Sequence, residues 1–144
     1  MDDSGRRRVF SSLGDLLSWY GQVAPHRNAI LAPGCAPMTY GGLRAAANYA
    51  VRRLRILGVG PNDRVAVVLP QGSDTAVAVI AVAVGAVCVP LNPNFTADEW
   101  QRYLSQLRVA ALLTNPDVDS PSRGVAHSLG VPVIDMSRHG RDPG

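Results

Sequence analysis

Hydrophobic residues in the first part of the chain recur at helical spacing. Residues 10–22 carry Leu and Tyr side chains three or four positions apart, and residues 41–57 show the same spacing more strongly, so both segments are predicted to be amphipathic helices. Two short runs, AIL at 29–31 and MTY at 38–40, flank the turn residues APGCAP and predict a small hairpin. Gly58 is expected to end the second helix.

From residue 64 onward, short apolar runs alternate with helical segments. Strands are predicted over 64–69, 86–89, 110–114 and 131–134, and helices over 73–84, 96–107 and 125–129. The strands are almost continuously apolar, which is typical of parallel strands covered on both faces. The sequence therefore predicts an α/β fold, a βαβαβ three-layer section with a mostly parallel sheet and right-handed crossovers.

Two predicted helices begin with capping signals. Thr96 and Glu99 fit a capping box, in which each side chain bonds the backbone N–H of the other residue. Phe95 and Trp100 occupy the two positions of a hydrophobic staple around that box. Ser73 is predicted to cap the helix that follows the first long strand.

Three loops are candidates for ligand binding. GVGPND at 58–63 follows a helix and precedes a strand, the reverse of a dinucleotide-binding fingerprint, so a helix end and a turn at Pro61 are expected. QGSD at 71–74 does open a helix, but Asp74 puts negative charge where an anion would bind, and simple capping is expected. PLNPN at 90–94 lies at the carboxyl end of a predicted strand, a position at which open α/β sheets hold ligands.

The composition narrows the function classes. The chain has 144 residues, 47% of them hydrophobic and 17% charged, which suits one globular domain. Its net charge of +3 comes from arginine without any lysine, and only 6% of residues are aromatic, so a nucleic-acid interface is not expected. The uncharged segment 75–91 is shorter than a bilayer span of about 20 residues and contains Gly85 and Pro90, so no membrane span is expected.

Candidate catalytic groups are few. His26, His127 and His139 have no metal-ligand spacing among themselves or with the cysteines. Cys88 lies in a predicted buried strand with nothing nearby to lower its pKa, and Cys35 lies in a turn, so neither a reactive thiol nor a disulfide is expected. No catalytic, cofactor-binding or metal-binding residue is therefore predicted. A cytoplasmic location is expected because no signal peptide is apparent.

Five segments in order resemble the adenylate-forming superfamily, which includes acyl-CoA synthetases and the adenylation domains of peptide synthetases. They are MTYGGL at 38–43, LGVGPNDRVA at 57–66, LPQG at 69–72, VAVGAVCVPLNP at 82–93 and TADEWQRYL at 96–104. Asn62 and Gln71 depart from the family's usual glycine and asparagine. The residue pattern of the fourth and fifth segments is most similar to that of acyl-CoA ligases.

The resemblance implies the first part of the large N-terminal domain of a carboxylate-activating enzyme. Such enzymes use ATP and Mg²⁺ to form an acyl-adenylate, and CoA or a phosphopantetheine thiol then takes the acyl group. The family's phosphate loop and catalytic lysine lie downstream of the matched segments, so no catalytic residue carries over and no cofactor is expected for this chain alone. Residues 1–9 are expected to be a flexible tail, 10–135 a partial AMP-binding domain, and 136–144 a turn-rich tail.

Three functional hypotheses follow. The first is an N-terminal fragment of an acyl- or fatty-acid-CoA ligase that is not catalytic alone. The second is a binding or scaffold module that docks a carrier protein or completes a split ligase. The third is a non-catalytic domain that only shares the α/β pattern. Surface that a downstream portion would cover is also expected to favour self-association.

Overall fold

The computed structural model describes residues 8–136. The predicted tails, residues 1–9 and 136–144, lie outside this range except for residues 8, 9 and 136, and His139 lies outside it as well. The helices are α1 (Leu13–Val23), α2 (Tyr40–Ile56), α3 (Ser73–Gly85), α4 (Ala97–Leu107) and α5 (Ser122–Ser128). The strands are β1 (Asn28–Ile30), β2 (Met38–Thr39), β3 (Arg64–Val67), β4 (Val87–Pro90), β5 (Ala111–Thr114) and β6 (Val133–Asp135).

A parallel sheet organises the fold. Its strand order is β4-β3-β5-β6, and every neighbouring pair is parallel, whereas β1 and β2 form the predicted antiparallel hairpin. The predicted α/β class is therefore confirmed. The main deviations are at element ends: β3 stops two residues earlier than predicted, and α5 starts three residues earlier.

Side chains of the two central strands alternate between two cores. Val65 and Val67 of β3 face one core together with Val82 of α3, while Ala66 packs with Trp100 of α4 on the other face. Because β3 and β5 are covered on both sides, nearly every residue in them is apolar. The predicted three-layer arrangement follows from this alternation.

A third core lies outside the sheet layers. Leu17 of α1 and Leu43 and Ala47 of α2 pack with Val77 and Ala81 of α3. Helix α3 is therefore apolar over much of its circumference, which explains the uncharged run at 75–91: it divides into a buried helix and a strand. No helix within residues 8–136 is long and apolar enough to cross a membrane.

The helix ends follow local chemistry with one exception. Ser12 caps α1 by accepting a hydrogen bond from the Asp15 N–H, and Gly58 follows α2 with a φ of 75°, as predicted for a helix-ending glycine. The predicted cap at Ser73 is wrong. Gly72 is the N-cap, its carbonyl accepts from the Ala76 N–H, and no side chain caps the helix because Ser73 already lies in its first turn.

Gly85 permits a close approach between α2 and α3. The sequence predicts Gly85 as a helix stop, and it is indeed the last residue of α3, but its backbone is not left-handed. A Cβ placed there would lie 2.7 Å from Cγ2 of Val51, inside contact distance. The glycine is therefore required by packing. Arg55 reinforces the same junction by donating to the Val59 carbonyl at 2.5 Å and the Gly85 carbonyl at 3.2 Å.

Substitution of Gly85 by alanine tests this packing. We expect Gly85→Ala to lower the free energy of unfolding by about 1–3 kcal/mol, because the added methyl group must displace Val51. Urea unfolding monitored by circular dichroism measures the change.

Gly124 provides the matched control, because it also lies within a helix but a Cβ added there meets nothing within 4 Å. Gly124→Ala should leave stability unchanged or raise it by up to about 1 kcal/mol. Equal stability of the two variants would contradict the packing argument.

Candidate functional site

The carboxyl end of the parallel sheet is the candidate site. Three loops, 68–72, 91–96 and 115–121, follow β3, β4 and β5. Because these strands are parallel, all three loops leave the sheet where the strands end, and this end is termed the carboxyl edge. Open α/β sheets hold ligands at this edge. The structure thus brings PLNPN and QGSD, the segments at 90–94 and 71–74, to the same end of the molecule.

Polar side chains in these loops mainly bond their own backbone. The Asn92 Oδ1 accepts from the Asn94 N–H at 2.9 Å, and the Asn115 Oδ1 accepts from the Asp117 N–H at 2.7 Å. The Thr114 hydroxyl donates to the Val68 carbonyl at 3.0 Å, which ties β5 to the chain beyond β3. These bonds shape the loops, and those of Asn92 and Asn115 use the side-chain oxygen as the acceptor.

The start of α4 forms as the sequence predicts. The Glu99 N–H donates to the Thr96 Oγ1 at 3.3 Å, and the Thr96 N–H donates to the Glu99 Oε2 at 2.8 Å, so the capping box is confirmed. The Phe95 and Trp100 rings lie 5.6 Å apart, which confirms contact at the staple. Trp100 is fully buried, and its indole N–H finds no acceptor in the described part of the chain.

The carboxyl edge is rich in acids. The acids placed there by topology are Asp74 in α3, Asp98 and Glu99 in α4, Asp117 and Asp119 before α5, and Asp135 in β6. The first turn of α5 supplies Arg123, which forms an ion pair with Asp135 at 2.5 Å. This hydrogen bond lowers the pKa of Asp135 and raises that of Arg123. No local sequence signal predicts this pair, because twelve positions separate its members.

This edge does not fit the phosphates of ATP or a resident Mg²⁺ ion. Phosphate recognition is strengthened by cationic donors, and Arg123, the arginine that residues 8–136 place at this edge, is already paired with a carboxylate. Within residues 8–136, no three His, Cys, Asp or Glu side chains are close enough together to hold a metal ion. The first turn of α3 has no side-chain cap, but Asp74 places negative charge there.

The cysteines and histidines do not converge on this edge. Cys88 is half-buried in β4, and burial raises the pKa of its thiol, which keeps it protonated and weakly nucleophilic near neutral pH. Cys35 is exposed in the hairpin turn, and both cysteines are free, as predicted. His127 lies in the last turn of α5, away from the carboxyl edge, and His26 lies in the connection between α1 and β1.

Comparison with known proteins identifies the family. A family model described as AMP-binding enzyme matches residues 17–141. Long-chain-fatty-acid–CoA ligase FadD13 of Mycobacterium tuberculosis is 31% identical over 135 residues, which is 92% of this chain and 24% of that protein. A dimodular nonribosomal peptide synthase of Bacillus subtilis is 35% identical over 134 residues, 92% of this chain and 6% of that protein.

Structural comparison gives the same fold. A benzoate CoA ligase from Burkholderia xenovorans superposes with a TM-score of 0.75 at 22% identity, covering 90% of this chain and 26% of that one. The chain belongs to the AMP-binding enzyme family, and it matches the amino-terminal portion of these adenylate-forming enzymes. It spans only 22–24% of the length of the CoA ligases it matches. The hypothesis of a domain that merely shares the α/β pattern is therefore excluded.

Removal of the Thr96 side chain tests whether the capping box at the start of α4 stabilises the fold. Thr96→Ala should lower the free energy of unfolding by about 1 kcal/mol, because the Glu99 N–H loses its acceptor. Ser105→Ala, a comparable hydroxyl removal at an exposed position of the same helix, should have no such cost. Chemical unfolding of both variants gives the comparison, and a larger loss for Ser105→Ala would refute the assignment.

The Arg123–Asp135 pair predicts a small acid-dependent loss of stability. The pKa of Asp135 is lowered in the folded state, so its contribution is complete above its ordinary value of 3.8 and disappears as pH falls through the folded pKa. Because both side chains are more than a third exposed, Asp135→Asn should cost at most about 1 kcal/mol at neutral pH.

The Asp135→Asn difference from wild type should vanish in strong acid, where the wild-type carboxyl group is also neutral. Asp119→Asn serves as the control because Asp119 is exposed and has no ion pair in the described range. Thermal melts from acid to neutral pH measure both variants. A pH-independent effect of Asp135→Asn would count against the ion pair as its cause.

Proposed function

We propose that this chain is the amino-terminal α/β section of a carboxylate-activating ligase and that it does not catalyse adenylation alone. The observation that carries the proposal is the family match over residues 17–141, combined with its span of about a quarter of the related CoA ligases. In this proposal, the chain supplies the sheet and helices that frame the site, and a further portion supplies the reacting groups.

The electrostatics of the carboxyl edge support a framework role. Transfer of an adenylyl group to a carboxylate needs positive charge around the phosphates, because negative charge develops there in the transition state. The first turns of α3 and α4 instead carry Asp74 and Asp98, the loop after β5 carries Asp119, and Arg123 is paired with Asp135. A cationic element from a further portion would have to reach this edge before the chemistry could occur.

The proposal extends to the carboxylate substrate, the thiol acceptor and the cellular compartment. The similarity to FadD13, a long-chain-fatty-acid–CoA ligase that is 31% identical, supports a fatty acid as the carboxylate and CoA as the thiol. The peptide synthase relative keeps a carrier-bound thiol as the other candidate acceptor. A cytoplasmic location fits the two free cysteines, since the cytosol keeps thiols reduced.

The open sheet edge favours a second candidate role, a scaffold that completes a split ligase or docks a carrier protein. Strand β4 is one of the two edge strands of the described sheet, and Val87 in it is 43% exposed. None of its four residues is charged, although natural edge strands commonly carry charges that block pairing. Such an edge suits a strand or helix supplied by a downstream ligase portion.

A pyrophosphate-exchange assay tests the primary proposal. The 144-residue chain, incubated with ATP, Mg²⁺ and a panel of fatty, aromatic and amino acids, should give exchange no higher than a protein-free blank. A complete CoA ligase of the family serves as the positive control. Substrate-dependent exchange by this chain alone would overturn the proposal.

The scaffold role needs a separate measurement. The chain is mixed with a family ligase from which the corresponding amino-terminal section has been removed. Val87→Lys, which places a charge on the β4 edge, is the matched variant. Recovery of exchange by the wild-type chain and its loss with Val87→Lys would support completion of a split ligase, whereas no recovery would reject that role.

A further inference from the structure

Charged side chains are segregated between the two ends of the parallel sheet. Helices α2, α3 and α4 end where the next strand begins, so their last turns lie at the amino end of the sheet. The basic pole at that end consists of Arg52, Arg53, Arg55, Arg64 and Arg108. The acidic pole at the other end consists of Asp74, Asp98, Glu99, Asp117, Asp119 and Asp135.

Hydrogen bonds support this placement. The Arg55 guanidinium reaches the Val59 and Gly85 carbonyls, and Arg64 donates to the Leu107 carbonyl at 3.0 Å, which brings the ends of α2, α3 and α4 to the same region. Within residues 8–136, a residue of opposite sign at each pole is already bonded. Arg123 at the acidic pole is paired with Asp135, and Asp63 at the basic pole accepts from the Gly60 N–H at 2.7 Å.

Several charges in each pole are exposed and available. Arg52 and Arg53 are exposed and form no ion pair or hydrogen bond to another side chain in the described range. The same holds for Asp74 and Asp119 at the acidic pole. Their charges are therefore not neutralised by other side chains within residues 8–136.

Apolar side chains accompany the basic pole. Tyr49 is 58% exposed and Ile56 is 76% exposed, and their spacing of seven residues puts both on the outer side of α2. Arg52 and Arg53 follow Tyr49 by three and four positions, so they neighbour it on that side. Tyrosine and arginine are enriched in protein–protein interfaces, whereas lysine and acids are depleted. The face suits a protein partner with complementary carboxylates.

We propose that copies of this chain associate head to tail, with the basic pole of one copy docked on the acidic pole of the next. An unrelated acidic protein would satisfy only one pole, whereas a second copy satisfies both, because the arginines of the basic pole are nearly matched in number by the carboxylates of the acidic pole. Because the two surfaces differ, the contact is heterologous and forms short chains of subunits rather than a closed two-fold dimer. This proposal does not depend on the ligase function.

Salt dependence is the main test. Sedimentation velocity on the full 144-residue chain should show mass rising with protein concentration at about 10 mM salt, where the Debye length is about 30 Å. At about 1 M salt, where it is about 3 Å, the chain should sediment as a monomer. Association that persists or strengthens at high salt would overturn the proposal and indicate apolar contact, as would a monomer at low salt.

Charge reversal provides the specific test. The variant Arg52→Glu with Arg53→Glu, and the variant Asp74→Arg with Asp119→Arg, should each be monomeric alone at low salt. An equimolar mixture of the two should associate again, because the unchanged acidic pole of the first variant meets the unchanged basic pole of the second, and the two reversed poles are also opposite in charge.

The matched control is Arg27→Glu with Arg102→Glu, which makes the same change in net charge at exposed positions outside the basic pole. This control should still associate at low salt. Thermal melts confirm that every variant is folded. Failure of the mixture to associate while both variants remain folded, or loss of association in the control, would refute pole-to-pole docking.

Discussion

Burial of β3 and β5 on both faces is the constraint on which the rest of the structure depends. Val65, Ala66 and Val67 of β3 are almost fully inaccessible, as are Ala111 and Leu112 of β5. A fully buried valine or leucine contributes about 1.5–3 kcal/mol relative to an exposed one. That gain requires a helical layer on each side, which α3 and α4 supply. The βαβ connections and the common edge for the loops follow from this requirement.

The position of these loops at the carboxyl edge explains why the candidate site has a defined geometry but few reactive side chains. Its loops are stabilised by their own side chains: Asn92 and Asn115 form turns, and Thr96 caps α4. Polar groups used in this way serve the fold and cannot also bind a ligand without being released. The family relationship and the acidic character of the edge are consistent with a framework that receives its cationic groups from elsewhere.

Most of the fold could be predicted from the sequence, because the hydrophobic pattern and the capping signals indicated the same elements. The apolar runs identified β3 and β5, and the capping box at Thr96 located the start of α4 within one residue. Prediction failed where the determinant was not local. Ser73 has the right residue type for a cap, but the turn after β3 makes Gly72 the N-cap. Arg123 and Asp135 meet only because α5 returns the chain to β6, which no short window reveals.

For the candidate site, the sequence predicted the position of PLNPN at a strand end but not the charge pattern around it. The position of PLNPN after a predicted strand was enough to place it at the carboxyl end. The accumulation of acids there became apparent only when the strand order brought the carboxyl ends of the four strands together. Similarly, the arginines of α2 resemble an ordinary solvated helix face in the sequence, and only the fold places them at the same end of the sheet as Arg64 and Arg108.

The contact between Gly85 and Val51 has a consequence for how sequences of this fold diverge. A side chain at residue 85 would occupy space that a branched side chain at residue 51 already fills. The two positions share one volume, although they are far apart in the sequence and lie on different helices. A larger side chain at residue 85 becomes acceptable once residue 51 has a smaller one. Relatives are therefore expected to show compensatory changes in side-chain size at these two positions rather than independent changes at either one.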